Sequence, residues 1–408
     1  MTRRKLIEPL RPDDLYDACI KCTVCVTACP VAQATDAFPG PKQAGPDAQR
    51  FRGRGEAVEG DWINLCTGCH RCQVACPADI PIAEINIFAK QRYAAARGRD
   101  LPTHLLTNAF RFMPLGSHLA FLINPFLKMR WSRWLAEKLF GISRHAPMPL
   151  FARRRFATEA RRYQGHPAKR KVAYFYGCFT DSNDPGVGRA VLRVLEAAGV
   201  EVVIPEQTCC GAALIGGGNL AAAKKQNEKN MVSLRRALDE GCEAIVVGSP
   251  SCTLALAQET AALLGVEAAD VQSKVLDLFT YLKQLDDLGE LRLSLKPLPQ
   301  FAAFHEACHL TALGHGANAP VILSRIPEFE IRTLDAGCCG LAGTFGLKHK
   351  TADLAVTIGQ EVRERVAQWK PDVVLSECEG CRMQITHLTG VPAKHPAEIL
   401  AAALETAD

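Results

Sequence analysis

From about residue 169 onward, short β-branched apolar runs alternate with stretches of helical period. Lys171–Tyr176, Val200–Pro205 and Ala244–Gly248 predict strands, and so do Phe301–Phe304, Phe329–Leu334 and Asp372–Ser376. Gly188–Ala198 and Ala352–Trp369 predict helices between them, so this part of the chain reads as α/β. Near the other end, Ile80–Arg97 spaces Ile82, Ile85, Phe88 and Ala89 at helical intervals, while Phe38-Pro-Gly-Pro-Lys-Gln-Ala-Gly-Pro46 reads as turns.

The middle of the chain has a different pattern. Phe112–Leu127 carries no Lys, Arg, Asp or Glu but contains Pro114, His118, Asn124 and Pro125. Its 16 residues fall short of the ~20 that a transmembrane helix needs. The next segment, Trp131-Ser-Arg-Trp-Leu-Ala-Glu-Lys-Leu-Phe140, puts aromatics and leucines on one side and basic residues on the other. That pattern predicts a helix lying in a membrane interface. A core helix with a solvated basic face is the alternative.

Cysteines give these segments a chemistry. Two runs read Cys-x2-Cys-x2-Cys-x3-Cys-Pro: Cys19, Cys22, Cys25, Cys29, Pro30 and Cys66, Cys69, Cys72, Cys76, Pro77. Thiolates at this spacing wrap a [4Fe–4S] cube, and the fourth cysteine of each run ligates the other cluster. The predicted sets are Cys19, Cys22, Cys25 and Cys76 for one cluster, and Cys66, Cys69, Cys72 and Cys29 for the second. Structural zinc rarely interlocks two such runs. The 36 residues between Cys29 and Cys66 suit an α-helical ferredoxin.

The α/β part is an internal duplication. Cys178, Cys209, Cys210, Ser249 and Cys252 recur as Cys308, Cys338, Cys339, Cys378 and Cys381, at an offset of 129–130 residues throughout. Most of these positions fall where a strand gives way to a loop, the end of an open α/β sheet at which ligands bind. The second repeat offers five thiols: Cys308, Cys338, Cys339, Cys378 and Cys381. They suit a noncubane iron–sulfur cluster, with a cube or zinc as alternatives. The first repeat, with Ser249 in place of a cysteine, keeps Cys178, Cys209, Cys210 and Cys252, enough for a cube, for zinc, or for a decayed site. Cys242 lies outside the pattern and reads as a small buried apolar residue. His305 and His309 flank Cys308 as candidate outer hydrogen-bond donors to a cluster, with ordinary strand-end histidines as the alternative. His70 either tunes a potential or faces solvent, and Gly216-Gly-Gly218 reads as a flexible turn.

Composition narrows the class. Leu101–Arg170 holds thirteen Lys/Arg against two Asp/Glu, so the remainder of this +5 chain is acidic. A basic block of that kind marks a surface for an anionic partner. Met1–Leu10 starts basic but has no apolar core, which argues against a secretory signal and for a reducing compartment in which the cysteines bind metal. No Gly-x-Gly-x-x-Gly follows a strand, which argues against a nicotinamide or flavin site, and no hydrolytic triad or nucleic-acid motif stands out. The expected organisation is multidomain α+β. An α-helical ferredoxin domain (1–100) leads through a basic connecting segment (101–168) to a duplicated α/β Cys-Cys-Gly domain (169–290 and 298–408).

Ile20-Lys-Cys-Thr-Val-Cys-Val-Thr-Ala-Cys-Pro30, Phe38–Pro46, Tyr176-Gly-Cys-Phe179, Cys338-Cys-Gly-Leu-Ala-Gly-Thr344 and Glu377-Cys-Glu-Gly-Cys381 resemble the family of iron–sulfur C subunits of anaerobic glycerol-3-phosphate dehydrogenases. The resemblance covers nearly the whole chain and includes the serine at 249. The Cys-Cys-Gly repeats are shared with the B subunits of heterodisulfide reductases and with the iron–sulfur subunits of glycolate and lactate oxidases. The resemblance implies a subunit that oxidises no substrate itself. It would take electrons from a flavoprotein dehydrogenase acting on sn-glycerol 3-phosphate and pass them to membrane quinone. It would also anchor the complex peripherally on the cytoplasmic face of the inner membrane. A glycolate or lactate oxidase subunit, or a heterodisulfide-reductase-like thiol-disulfide reductase, are the alternatives; the latter family carries five cysteines in both repeats.

Overall fold

The computed structural model describes residues 18–56 and 58–405. Met1–Leu10 lies outside the described residues. The cysteine-bearing N-terminal part is helical, and the remainder holds two four-stranded parallel sheets, so the chain is a helical ferredoxin-type unit followed by a duplicated α/β unit.

The first sheet contains β1 (Arg170–Phe175), β2 (Val200–Val203), β3 (Ala244–Val247) and β4 (Val275–Asp277), in the order β2-β1-β3-β4. The second contains β5 (Gln300–Phe304), β6 (Phe329–Thr333), β7 (Val373–Leu375) and β8 (Ala393–Lys394), in the order β6-β5-β7-β8. All neighbours are parallel, with Val172 opposite Val202 and Ala244, and Ala302 opposite Ile331 and Val373. The six predicted strands are present. β4 and β8, with three and two residues, carry too little pattern to show in the sequence.

Alternate side chains of β1 enter different cores. Val172 and Tyr174 pack with the helix Pro185–Ala197, while Ala173 and Phe175 pack with the helix Leu220–Asp239. The first of these cores continues into the second repeat, where Ile399, Leu400 and Ala403 of the helix Pro396–Ala403 join it. The repeats are therefore one hydrophobic body. His395 Nε2 bonds Gly248 O at 3.0 Å, and Arg382 Nη2 donates to Asp184 Oδ2 at 2.9 Å across the boundary.

Two local expectations change. Phe38–Pro46 is not a string of turns. Gly40, at φ 95°, makes a single turn; the chain then runs helically into a π-helical segment, Gln43–Asp47, and the helix Ala48–Arg52. Pro46 has no N–H to donate, and the widened turn accommodates it. The predicted helix Ala352–Trp369 is broken at Gly359 into Ala352–Ile358 and Gln360–Trp369.

Candidate metal centres

In both ferredoxin-type runs the residues between the cysteines take the same backbone shape. Lys21 and Thr23 have φ 59° and 64°; their counterparts Gly68 and His70 have φ 67° and 60°. Three of the four are not glycine, and each left-handed residue costs about 1–2 kcal/mol, so the loops are bent at some expense to point sulfurs inward. Cys25 lies beside Cys19, Cys22 and Cys76, and Cys72 beside Cys66, Cys69 and Cys29. Burial, reinforced by the neighbouring sulfurs, pushes the Cys25 and Cys72 thiols up and Cys29 to about 12. Thiols packed this closely in low dielectric cannot all ionise unless a cation joins them, so the donor sets suit metal clusters. Cys22 is exposed, with Ile20, Val24 and Val74 exposed around it, whereas the second set faces inward.

The Cys-Cys-Gly repeats gather their cysteines at the carboxyl ends of the strands. Cys178 follows β1, Cys209 and Cys210 follow β2, and Ser249 and Cys252 follow β3; the second repeat repeats this with β5, β6 and β7. β1 and β3 flank the point at which strand order reverses, which opens a crevice there. Cys178 Sγ lies 3.7 Å from Cys209 Sγ, and Cys339 Sγ lies 3.3 Å from Cys381 Sγ. Hydrogen bonds from neighbouring thiols, Cys178 first for Cys209 and Cys338 first for Cys339, hold these two well down while their neighbours are raised. Each group thus packs buried sulfurs within hydrogen-bonding reach of one another. Ser249 does not stand alone: its Oγ donates to Glu379 Oε2 of the second repeat at 2.8 Å. Cys242 is buried in the apolar core, as expected.

The second ferredoxin-type set abuts the second repeat. Cys69 lies close enough to Cys308 and Cys338 to raise both thiols, with burial the first cause for Cys308 and the Cys339 hydrogen bond the first for Cys338. A cavity of about 180 Å³ opens between them, bordered by Cys66, Cys69, Lys90, Ser251, Cys308, Cys338, Cys378 and Lys348. His309 bridges this boundary, its Nδ1 3.1 Å from Ser251 Oγ and its Nε2 3.4 Å from Gly68 O. His70 does not face solvent. It is 3% exposed and pairs with Glu259 Oε1 at 3.2 Å, tying the second run to the first repeat.

Gly216-Gly-Gly218 is an anchor rather than a loose turn. Lys90 Nζ donates to Gly216 O at 2.9 Å and also to Cys66 O, and Arg99 donates to Gly218 O at 2.7 Å. A Cβ on Gly218 would stand 3.1 Å from the Lys90–Gln91 backbone, so only glycine lets the ferredoxin helix approach. Burial lowers Lys90 to about 8.

The connecting segment is inside out. Its helix Arg130–Phe140 turns Glu137, 8% exposed, toward the protein, and Arg133 reaches Ser143 O at 3.1 Å and also Ala146 O. Trp131, Trp134, Leu135, Leu139 and Phe140 face outward, Trp131 being 58% exposed. The preceding helices, Met113–His118 and Ala120–Lys128, expose Leu115, Phe121, Leu122 and Phe126. The core-helix alternative therefore fails. No described helix is long and apolar enough to cross a membrane.

Comparison with known proteins matches this architecture. A family model described as a 4Fe-4S dicluster domain matches residues 16–80, and one described as a cysteine-rich domain matches 172–257 and 302–386. Together they supply two [4Fe–4S] clusters and further iron–sulfur or metal sites. The glycolate oxidase iron-sulfur subunit of Escherichia coli (strain K12) is 24% identical, covering 98% of this chain and 97% of that protein. The D subunit of the dihydromethanophenazine:CoB–CoM heterodisulfide reductase of Methanosarcina barkeri (strain Fusaro) is 25% identical, covering 91% and 88%. The C subunit of the anaerobic glycerol-3-phosphate dehydrogenase of Escherichia coli (strain K12) is 33% identical over 398 residues, covering 96% of this chain and 99% of that protein. At that identity over the full architecture, the chain belongs to the family of anaerobic glycerol-3-phosphate dehydrogenase C subunits.

Proposed function

We propose that this chain is the electron-transfer subunit of a flavin-dependent sn-glycerol-3-phosphate dehydrogenase, that it delivers electrons to membrane quinone, and that it holds the complex to the cytoplasmic membrane face as a peripheral subunit. The proposed ligand sets are Cys19, Cys22, Cys25 and Cys76; Cys66, Cys69, Cys72 and Cys29; Cys308, Cys338, Cys339, Cys378 and Cys381; and Cys178, Cys209, Cys210 and Cys252. Bound there, iron–sulfur clusters supply one-electron carriers.

The chain's own residues support a direction. The first run is exposed at Cys22 within an apolar rim of Ile20, Val24 and Val74, which suits contact with an electron-donating flavoprotein. The second run is shielded, and Cys69 stands against Cys308 and Cys338, so the second repeat is next in line.

The observation that carries the membrane part is the outward apolar face of Arg130–Phe140, flanked by exposed Arg130 and Lys138. Trp and Leu enter the headgroup boundary while the basic residues meet anionic lipid. Removing this chain from purified membranes should abolish glycerol-3-phosphate-dependent quinone reduction, and adding it back should restore it. Reduction that continues without the chain would sink the proposal. Because a glycolate oxidase subunit shares the whole architecture, the flavoprotein that co-purifies from membranes, and its substrate, is the second readout.

A further inference from the structure

Position 305 separates the two repeats as clearly as position 249 does. The offset of 130 that relates Cys308 to Cys178 pairs His305 with Phe175, so His305-Glu-Ala-Cys308 corresponds to Phe175-Tyr-Gly-Cys178. His305 directly follows β5, and its backbone N–H donates to Leu375 O at 2.8 Å, which fixes it beside β7. The residue is only 2% exposed, and its Nδ1 has no hydrogen-bond partner. A ring nitrogen of His305 and the sulfurs of Cys339 and Cys381 all lie within 4.8 Å of one another.

A buried imidazole nitrogen without a partner costs roughly 1–3 kcal/mol, and native proteins rarely leave one so. Neutral imidazole is a good ligand for both iron and zinc, and a thiolate pair completes a chelate that suits either. We infer that His305 is a nitrogen ligand of the metal held by the second repeat, which makes that centre a mixed nitrogen–sulfur site. The first repeat, with Phe175 at the same place, has no nitrogen to offer. This inference rests on the reading that the second repeat holds a metal. Exchanging thiolate for neutral imidazole removes negative charge, which raises the reduction potential of an iron–sulfur centre. The second repeat is thereby set apart from the all-thiolate sets of the ferredoxin-type runs.

The test uses the full chain, purified anaerobically with its metals, from cells fed either ordinary or nitrogen-15 histidine. Pulsed paramagnetic resonance is read on the signal that Cys339→Ser removes; if the metal proves to be zinc, X-ray absorption at the zinc edge replaces it. A strong, directly coordinated nitrogen coupling that changes with the isotope is expected, or one nitrogen among sulfurs at zinc. His305→Phe should lose that coupling while keeping its metal on the remaining thiols, and His305→Cys should lower the midpoint potential of this centre alone. The wild-type isotope comparison stands even if a variant misfolds. A metal present with only weak, hydrogen-bond-type nitrogen coupling overturns the inference and leaves the metal reading intact. Equal metal content in the wild type and in Cys339→Ser overturns both.

Discussion

The two repeats share a sheet topology and a cysteine register, yet they hold their Cys-Cys-Gly loops by different means. In the first, the long helix Leu220–Asp239 supplies side chains: Asn227 Nδ2 donates to Cys210 O at 2.9 Å and Asn230 Nδ2 to Cys209 O at 3.2 Å. In the second, the corresponding region breaks at Gly359, and backbone packs directly on backbone. A Cβ on Gly340 would lie 1.9 Å from Ala355 O, and one on Gly359 would lie 2.6 Å from Cys339 O. The first loop is held by adjustable hydrogen bonds, the second by rigid contact. A duplicated fold thus surrounds its two cysteine sets differently, one with Ser249 and Phe175, the other with Cys378 and His305.

The sharpest way to break this comparison is to add one methyl group to each loop. Gly340→Ala meets a backbone carbonyl at 1.9 Å and should cost more than about 4 kcal/mol. Gly211→Ala meets the Asn227 side chain at 3.1 Å and Ala223 at 3.3–3.4 Å, contacts that yield by a few tenths of an ångström, and its cost should stay near the roughly 1–2 kcal/mol of a left-handed alanine. Urea denaturation of the two variants measures both, and equal losses would refute the distinction.

A second contrast lies in the residue after the four-residue turns Ser249–Cys252 and Cys378–Cys381. Arg382 is buried, donates to Ser376 O and Glu377 O at 3.3 and 3.1 Å, and reaches Asp184 in the other repeat. Its counterpart, Thr253, only caps its own turn through Ser249 O at 2.9 Å. Arg382→Ala leaves Asp184 without its partner and should cost about 3 kcal/mol, whereas Thr253→Val should cost about 1 kcal/mol. Calorimetry of the two variants tests the ranking.

The connecting segment contrasts with both repeats, because its apolar side faces out. Reversing Arg130 and Lys138 to Glu removes about 1 kcal/mol of lipid attraction each, so binding to anionic vesicles should fall at least ~30-fold and binding to neutral vesicles much less. Vesicle sedimentation at two salt concentrations reads this, and unchanged binding would count against the membrane face. Ser249→Cys gives the first repeat the fifth thiol of the second. It forfeits the Glu379 hydrogen bond, about 1 kcal/mol, and should alter the first repeat's spectroscopic signal while leaving that of the second unmoved.

The smallest expected effect concerns Glu137. The backbone N–H of Arg144, at 2.9 Å, and then the His349 ring hold its carboxyl below the ordinary value of 4.5. A depressed carboxylate stabilises the fold above its usual value, and that contribution fades as pH falls through the lower folded value. The docked helix Arg130–Phe140 should loosen only in acid, and Glu137→Gln should flatten that dependence in a pH series of tryptophan fluorescence from Trp131 and Trp134.

The ferredoxin-type runs, the duplication and six strands were legible because each is written in local spacing: thiols a fixed few residues apart, β-branched runs, a constant offset. β4 and β8 were not, since two or three residues carry no period. The break at Gly359 and the π-helical turn at Pro46 were hidden for another reason, for both answer to partners elsewhere in the fold. The amphipathic pattern of Trp131–Phe140 was clear, but its orientation was not, because a helical period says that two faces differ and not which one meets water.

By itself, the sequence determined which residues could bind metal and into what repeating units they fall, since ligand spacing and strand period are properties of neighbouring residues. The tertiary structure decided how those units meet. Cys69 stands against Cys308, 239 positions away; Glu379 reaches Ser249; a ring nitrogen of His305 comes within 4.8 Å of the sulfurs of Cys339 and Cys381; and Lys90 docks on Gly216. Such contacts depend on packing between distant surfaces, where burial and unsatisfied polar atoms, rather than local periodicity, select the partner.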